Sequence, residues 1–288
     1  MTDFPSVLDK ADVSMVRHEP FPHIIVDDAL PQDVYDQLAQ SYPDPMNLPE
    51  KMRTRNNHRY NLLSKWGAAE FSFDAAAPEW QAFLNRHDSP EFVEEVFNLF
   101  PDFTEDSDSG KQFNVNALGP NLSGKIGVDD FVNARDVKAR STVGINTPVT
   151  EVSSVRGAHT DSIRKAYVGL LYFRHENDDS TGGDLEIFNW KDDASRSEWP
   201  VSVDRDLLNL VNTIEYRPNR YVLFLTTSDA LHGVSPRSVT STFRRLVVTS
   251  GWLPGVDHYD TDTTHGLLRR LKATVMSKIR RALGRAQG

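Results

Sequence analysis

The sequence contains no cysteine, and this absence excludes several kinds of chemistry at once. Without thiols the chain can form no disulfide, offers no thiolate to a metal and has no cysteine nucleophile. It also lacks an apolar run of 18 residues, so no membrane-spanning helix is predicted. Residues 1–10 lack the basic and then apolar order of a secretory signal. From these absences we expect a cytoplasmic protein.

Acidic side chains are missing from the end of the chain, where residues 263–288 carry seven basic ones. The formal net charge of −9 therefore divides into +7 for this tail and −16 for the rest of the chain. An acidic body lacks the broad positive surface that nucleic acids require, so we expect no nucleic-acid partner. Apolar residues recur at helical spacing over 266–288, which predicts a basic amphipathic helix. Such a helix either contacts an anionic membrane peripherally, here the inner membrane surface, or packs on the acidic domain.

The length of 288 residues and the 39% apolar composition are sufficient for one large core. We predict three parts. Residues 1–111 provide an N-terminal strand and supporting helices, residues 112–256 form the core, and residues 257–288 form the basic C-terminal helix.

The N-terminal part contains three recognisable elements. Residues 23–27 have strand composition, and a helix is predicted over 31–40 with proline at its first position. A second helix is predicted after Ser89, a suitable N-cap that is followed by Pro90 at the first helical position.

From residue 112 the sequence changes to short strand-like segments separated by turn residues. Many short strands without helical periodicity between them are typical of a jelly roll. We therefore predict a mainly β protein with flanking helices (α+β) and a double-stranded β-helix core. The predicted strands are 112–118, 138–146, 166–174, 184–190, 210–217, 220–227 and 243–252.

A possible metal site is indicated by His159-Thr160-Asp161, which precedes His232 by 71 residues. Side chains at positions i and i+2 of an extended segment point the same way, so His159 and Asp161 can meet one ion. Two imidazoles and one carboxylate leave three positions open on a metal, as in non-haem Fe(II) oxygenases. A second copy of the pattern, at 258–260, lies in a polar stretch without comparable strands after it, and we interpret it as a chance occurrence.

The order of the motifs resembles a known family. The motifs that carry the resemblance are, in order, VRGAHTD (155–161), GLLYFR, DDSTGGDLEIF, and LHGVSPRS leading to FRR. With them the sequence resembles the 2-oxoglutarate/Fe(II)-dependent dioxygenases, and their prolyl-4-hydroxylase-like bacterial branch in particular. The similarity covers about residues 112–252, and the N-terminal PFPHIIVDDALP also resembles the entry strand and helix of such proteins. The resemblance implies a double-stranded β-helix in which His159, Asp161 and His232 bind Fe(II), with 2-oxoglutarate and dioxygen as co-substrates.

The family resemblance also implies a cation for the distal carboxylate of 2-oxoglutarate. Arg244 and Arg245 are the candidates, because arginine pairs bidentately with a carboxylate. If the strand alternates, only one of them faces the barrel interior; Arg245 is preferred, since it would share the inner face with the small Val247 and Thr249. Tyr172 matches the position from which family members offer a hydroxyl to this carboxylate, although a core aromatic role is the alternative. Neither arginine has serine two residues later, so the Arg-x-Ser pattern of the plant and penicillin-type branch is missing.

The implied activity is that of an oxidoreductase, a hydroxylase acting on an unactivated C–H bond of a small-molecule or glycan-linked substrate. Asp161 favours hydroxylation over halogenation, since related halogenases replace this carboxylate by a small residue. Desaturation, epimerisation and ring formation remain open. The alternatives are a prolyl or peptidyl hydroxylase, a cupin-like metal enzyme that does not use 2-oxoglutarate, and a non-catalytic scaffold.

Overall fold

A computed structural model describes residues 4–101, 137–162, 164–197 and 199–252. The predicted strand 112–118, the second His-x-Asp copy at 258–260 and the basic tail lie outside the described residues. Within them, no helix is long and apolar enough to cross a membrane. The helices are α1 (Gln32–Gln40), α2 (Glu50–Arg53), α3 (Pro78–His87) and α4 (Pro90–Asn98). The strands are β1 (His23–Val26), β2 (Arg59–Ser64), β3 (Lys138–Asn146), β4 (Lys165–Tyr172), β5 (Leu185–Trp190), β6 (Leu208–Ile214), β7 (Tyr221–Leu225), β8 (His232–Val234) and β9 (Arg244–Trp252).

The strands form two antiparallel sheets. The large sheet has the order β1-β7-β4-β9-β3-β2, and the small sheet has the order β6-β5-β8. The segment around His159 joins the small sheet beside β8, because His159 and His232 exchange two backbone hydrogen bonds of 2.9 and 3.0 Å. From β3 onward, four segments thus belong to each sheet, and the chain crosses between the sheets as a jelly roll does. The predicted double-stranded β-helix is confirmed.

Both faces of the large sheet are covered, which explains why all five residues of β7 are buried. One face packs on the N-terminal helices, and the other packs on the small sheet. The helix-side core includes Val143, Ile145 and Val247 of the sheet together with Trp80, Phe83 and Phe92. The core between the sheets includes Val168, Tyr172 and Leu246 together with Leu185, Ile187 and Ile214.

The N-terminal part completes the large sheet at both edges. Strand β1 pairs with β7, and β2 pairs with β3, so residues before 101 belong to the same sheet as the core strands. The two helices predicted from the sequence are present as α1 and α4, and the Ser89 hydroxyl accepts a hydrogen bond of 3.3 Å from the Phe92 amide as an N-cap. Strand β2 and helix α3 were not predicted, and β2 becomes a strand by pairing with a segment about eighty residues away in sequence.

Asp88, at the C-terminal end of α3, is a buried carboxyl that should make the stability of the protein depend on pH. Its side chain is buried, and burial raises the pKa of this carboxyl to about 7 although Ser141, Lys65 and Arg140 oppose the shift. The folded state therefore binds this proton more tightly than the unfolded state, and the stability it contributes is complete below about pH 4 and is lost as pH rises through 7. Asp88→Asn removes this carboxyl, so the variant should gain stability over wild type as pH rises. The difference in free energy of unfolding, variant minus wild type, should be on the order of 3 kcal/mol larger at pH 8 than at pH 4.

Thermal or chemical denaturation of both proteins at pH 4, 5, 6, 7 and 8 measures this difference. The matched control is Glu176→Gln, which neutralises an exposed carboxylate of the same protein. A difference between Asp88→Asn and wild type that stays constant with pH would show that the Asp88 carboxyl does not titrate in this range.

Candidate metal centre

The small sheet positions the two histidines across from each other. Their hydrogen-bonded pairing brings the ring centroids of His159 and His232 to 4.4 Å. His159 Nδ1 lies 2.8 Å from the Gly157 carbonyl, and His232 Nδ1 lies 2.9 Å from the Ala230 carbonyl. Because a carbonyl oxygen only accepts, each Nδ1 carries the proton and each Nε2 keeps its lone pair for a metal.

Asp161 completes a cluster of three ligands. One atom of each of His159, Asp161 and His232 lies within 4.8 Å of the others, so a single ion can contact all three. The Asp161 Oδ2 atom is 3.5 Å from His232 Nε2, whereas Oδ1 accepts a hydrogen bond of 2.9 Å from Lys165 Nζ. The two carboxylate oxygens are therefore directed differently, with Oδ2 toward His232 and Oδ1 toward Lys165.

The protonation states of the cluster suit a divalent cation. Burial lowers the pKa of His159 to about 3, with His232 acting in the same direction, and burial also lowers the pKa of His232. Burial opposes ionisation of Asp161, but Lys165 and then His232 outweigh it and lower the pKa of this carboxyl to about 2. Near pH 7 the cluster therefore holds two neutral imidazoles and one carboxylate, the forms that bind metals.

Lys165 is a positioning residue for the carboxylate, and its removal should weaken metal binding. Lys165→Met keeps most of the apolar stem but leaves Asp161 Oδ1 without its 2.9 Å partner. Loss of an outer-shell partner of a metal ligand typically costs about 10–100-fold in metal affinity, and we expect an effect of this size. Anaerobic titration with Fe(II) measures it, with the exposed Lys51→Met as control. Equal affinity in Lys165→Met and wild type would show that the ion pair does not orient Asp161.

The three ligands lie in the wall of a pocket of ≈ 220 Å³ between the two sheets. Apolar side chains of β4, β5, β7 and β9 form much of the remaining wall. A concave, mainly apolar cavity with a few polar groups is typical of a small-molecule site. The side chains that line it from the inner face of the large sheet include Val168, Leu170, Tyr172, Leu246 and Val248.

Arg244 lines this pocket, and Arg245 does not. The buried Arg244 guanidinium lies 4.4 Å from the centre of the Tyr216 ring, and its Nη2 donates a 2.9 Å hydrogen bond to the Gly183 carbonyl. Arg245 projects from the opposite face, where its guanidinium lies 5.0 Å from the centre of the Tyr42 ring. The prediction that Arg245 faces the interior is therefore wrong, since Arg244 faces the pocket and Arg245 faces the helices.

The physical reason for the reversal is that helices cover the second face of the large sheet. Val247, a small residue predicted to face inward with Arg245, packs in the helix-side core. The larger Leu246 packs between the sheets, on the same face of the strand as Arg244. With both faces buried, residue size does not distinguish the inner face from the outer one.

Tyr172 is fully buried on the inner face, where the Arg244 guanidinium lies 5.1 Å from its ring centre. Among the described residues, the Arg244 Nε has no hydrogen-bond partner, and the Tyr172 hydroxyl has none besides the neighbouring Arg244 guanidinium. Burial raises the pKa of Tyr172, so the hydroxyl keeps its proton as a donor. Buried polar groups normally have partners, so the Arg244 Nε indicates a place for a polar ligand.

The Gly183 carbonyl, which accepts the hydrogen bond from Arg244, belongs to a turn that requires glycine. Gly182 and Gly183 have φ values of +74° and +77°, and a Cβ at Gly182 would lie 1.9 Å from the Pro236 carbonyl oxygen. Only glycine fits such a position. The buried Arg237 braces the preceding residues by donating hydrogen bonds of 2.9 and 3.0 Å to both carboxylate oxygens of Asp178. The charge of Arg237 is thus paired, while Arg244 has no carboxylate partner among the described residues.

The fold and the site together define a jelly-roll protein with a candidate metal centre of two histidines and one aspartate. Comparison with known proteins gives similarity at the level of structure. No family model matches the sequence, and no curated protein matches it.

Three solved structures illustrate that similarity, each at 14% sequence identity. A prolyl-4-hydroxylase from Pseudomonas putida has a TM-score of 0.42, covering 81% of this chain and 93% of its own. IDO from Bacillus thuringiensis has a TM-score of 0.38, covering 80% and 92%. A dioxygenase for auxin oxidation from Arabidopsis thaliana, solved with 2-oxoglutarate, has a TM-score of 0.39, covering 82% and 84%. With TM-scores below 0.5, the functional proposal rests on the residues of the site.

Two pocket residues were not predicted from the sequence. Arg59 on β2 and Asn146 at the end of β3 both line the cavity. They are neighbours only because β2 and β3 pair, and they are 87 positions apart in sequence. No local motif marks either residue, and only a correct strand pairing would have found them.

Proposed function

We propose that the protein is an Fe(II)- and 2-oxoglutarate-dependent dioxygenase that hydroxylates an unactivated C–H bond of a small-molecule or glycan-linked substrate. The observation that carries this proposal is the pairing of two features in one pocket. Neutral histidines and an ionised aspartate form a set of three metal ligands, and an arginine without a carboxylate partner among the described residues lies in the same cavity. Two histidines and one carboxylate with open positions suit non-haem Fe(II).

In this proposal His159, Asp161 and His232 hold the iron through two Nε2 atoms and Asp161 Oδ2. Lys165 keeps the second carboxylate oxygen occupied, so that Asp161 offers one oxygen to the metal. When bound, Fe(II) and 2-oxoglutarate supply an oxidising centre that consumes dioxygen, and the overall change converts R–H, 2-oxoglutarate and O₂ into R–OH, succinate and CO₂.

Arg244 and Tyr172 would hold the distal carboxylate of 2-oxoglutarate. Arg244 offers a permanently charged, planar group, and Tyr172 offers a protonated hydroxyl. The buried Arg244 Nε has no hydrogen-bond partner among the described residues, and a carboxylate would satisfy this donor. The Gly183 carbonyl and the Tyr216 ring limit the movement of Arg244, so the charge is positioned before the co-substrate binds.

The size of the cavity supports a small substrate. Its ≈ 220 Å³ is below the ~300–1,000 Å³ of sites for drug-sized ligands, and the co-substrate would occupy part of it. A small molecule, or one sugar of a larger glycan, fits a cavity of this volume. A prolyl or peptidyl substrate is the second candidate, and it would have to present a single side chain to the metal.

The test is an anaerobic titration of metal-free protein with Fe(II) and then with 2-oxoglutarate, followed by visible spectroscopy. We expect a metal-to-ligand charge-transfer band that needs both additions. Metal binding without the band would favour a cupin-like metal enzyme that does not use 2-oxoglutarate. Failure to bind metal at all would favour a non-catalytic scaffold.

A further inference from the structure

The inner face of the large sheet carries a row of three polar residues beside the metal site. Arg59 on β2 lies directly opposite Asn146 on β3, and Asn146 lies directly opposite Arg244 on β9. Residues directly opposite each other in antiparallel strands are on the same face, with Cβ atoms about 4.5–5.5 Å apart. All three line the pocket. Asn146 is thus placed between two arginines that come from different strands.

Asn146 is the unusual member of this row. It is 1% exposed, and neither its amide nitrogen nor its amide oxygen has a hydrogen-bond partner among the described residues. Leaving a buried amide unpaired is unfavourable, so native structures seldom contain one without a reason. An amide that lines a pocket and lacks protein partners is available to a ligand.

The Arg59 side chain extends from the edge strand over the pocket face of β3. A Cβ placed on Gly144 would lie 2.6 Å from Arg59 Nη2 and 2.8 Å from Cζ, so the guanidinium occupies the space that a side chain at position 144 would fill. Burial lowers the pKa of Arg59 to about 10, and Arg244 acts in the same direction. The group therefore remains charged near pH 7, and it has no carboxylate partner among the described residues.

The charges of the pocket do not balance with 2-oxoglutarate alone. Three cations that are buried or half-buried line it, namely Arg59, Lys165 and Arg244, and Asp161 is the one acidic side chain in its described lining; the fourth lining cation, Arg156, is exposed to solvent. Lys165 is paired with Asp161, and a divalent metal would add two further positive charges. The two negative charges of 2-oxoglutarate still leave the site with a net positive charge. A cation that is partly removed from water is stabilised by an anionic partner, so a second anion is expected there.

We infer that Arg59 and Asn146 form a second anion subsite that binds the acidic group of the substrate, which is therefore a carboxylate or a phosphate ester. The guanidinium supplies a planar pair of donors, and the Asn146 amide supplies a further donor beside it. The subsite places the acidic end of the substrate over the inner face of β2 and β3, in the same pocket as the candidate metal ligands. This inference rests on the proposed function, because it assigns Arg244 to the co-substrate.

The test uses the full chain loaded anaerobically with Fe(II) and saturating 2-oxoglutarate. Its thermal midpoint is followed while acetate, inorganic phosphate or acetamide is added at constant ionic strength. We expect saturable stabilisation by acetate or by phosphate and none by acetamide, the neutral counterpart of acetate. In Arg59→Gln the apparent affinity for that anion should be at least tenfold weaker. Arg55→Gln, which removes an exposed arginine of the preceding turn, should behave as wild type.

The two anions distinguish the source of the acidic group. Preference for acetate indicates a carboxylic acid substrate, and preference for phosphate indicates a phosphate ester. Arg59→Lys and Asn146→Ala are two further variants, which keep the inference testable if Arg59→Gln does not fold. Arg59→Lys keeps the charge without the planar fork, and Asn146→Ala removes the amide alone, so each should weaken anion binding less than Arg59→Gln does.

Three results would overturn the inference. These are equal anion affinity in Arg59→Gln and wild type, absence of a saturable effect of either anion on wild type, and loss of 2-oxoglutarate binding in Arg59→Gln but not in Arg244→Gln. Failure of the proposed function is recognised separately, because the charge-transfer band would then be missing from wild type before any anion is added. A normal band without an anion effect would refute the second subsite alone.

Discussion

His232→Ala is expected to abolish 2-oxoglutarate-dependent succinate formation and to lower the affinity for Fe(II) by more than about 100-fold. This exceeds the ~10–100-fold that follows the loss of an outer-shell partner, because a ligand itself is removed. His232 provides one of three donor atoms that lie within 4.8 Å of one another, and among the described residues no further histidine or carboxylate belongs to the cluster. Anaerobic Fe(II) titration and a succinate assay measure the two effects.

The control for this prediction is His18→Ala, which removes an exposed histidine remote from the pocket lining. Circular dichroism and the thermal midpoint of metal-free protein establish that His232→Ala is folded. Retention of wild-type Fe(II) affinity in folded His232→Ala would contradict the three-residue metal centre. His159→Ala should behave in the same way, since its Nε2 has the equivalent position across the strand pair.

Arg244→Gln should weaken 2-oxoglutarate binding strongly while leaving Fe(II) binding intact. Removing one partner of a buried, hydrogen-bonded charge pair costs about 2–5 kcal/mol, much of it the penalty of leaving the other charge unpaired. At about 1.4 kcal/mol per tenfold, the dissociation constant for 2-oxoglutarate should rise about 30-fold or more. The intensity of the charge-transfer band, titrated with 2-oxoglutarate at fixed Fe(II), measures this constant directly.

Arg245→Gln is the matched control, because it makes the same chemical change one residue further along β9. Arg245 lies on the helix side of the large sheet, against Tyr42, and outside the pocket lining. We expect its effect on 2-oxoglutarate affinity to be less than about threefold, within the ~0.5 kcal/mol typical of sites away from special features. If Arg245→Gln weakened the co-substrate and Arg244→Gln did not, the assignment of the anchoring arginine would have to be exchanged.

Much of the fold follows from local sequence patterns. Apolar, β-branched and aromatic runs separated by turn residues predicted six core strands, β3 to β7 and β9, to within a few positions, and β3 has the predicted bounds of 138 and 146; β8 was not predicted. The Ser89-Pro90 pair predicted the start of α4, because a hydroxyl cap and proline are the local signals for a helix N-terminus. The edge strand β2 has no such independent signal, since its pairing with β3 connects distant parts of the chain.

Some residues of the candidate site could likewise be predicted from local patterns, and others could not. His159 and Asp161 could be placed together from their spacing alone, because alternate residues of an extended segment share a side. The choice between Arg244 and Arg245 could not be made from spacing, because both faces of β9 are buried, one by helices and one by the small sheet. Residue size then carries no information about which face looks into the pocket.

The sequence by itself determined the strand-rich core, the absence of thiol chemistry and the two histidines and aspartate of the candidate metal centre. These depend on composition and on contacts between neighbours in the chain. Only the tertiary structure decided that Arg244 faces the pocket and that Lys165 directs one oxygen of Asp161. It alone brought Arg59 and Asn146 into one row with Arg244. The physical reason is that strand pairing and the coverage of each sheet face are set by segments far apart in sequence, so the polar neighbours of the site exist only after the sheets have formed.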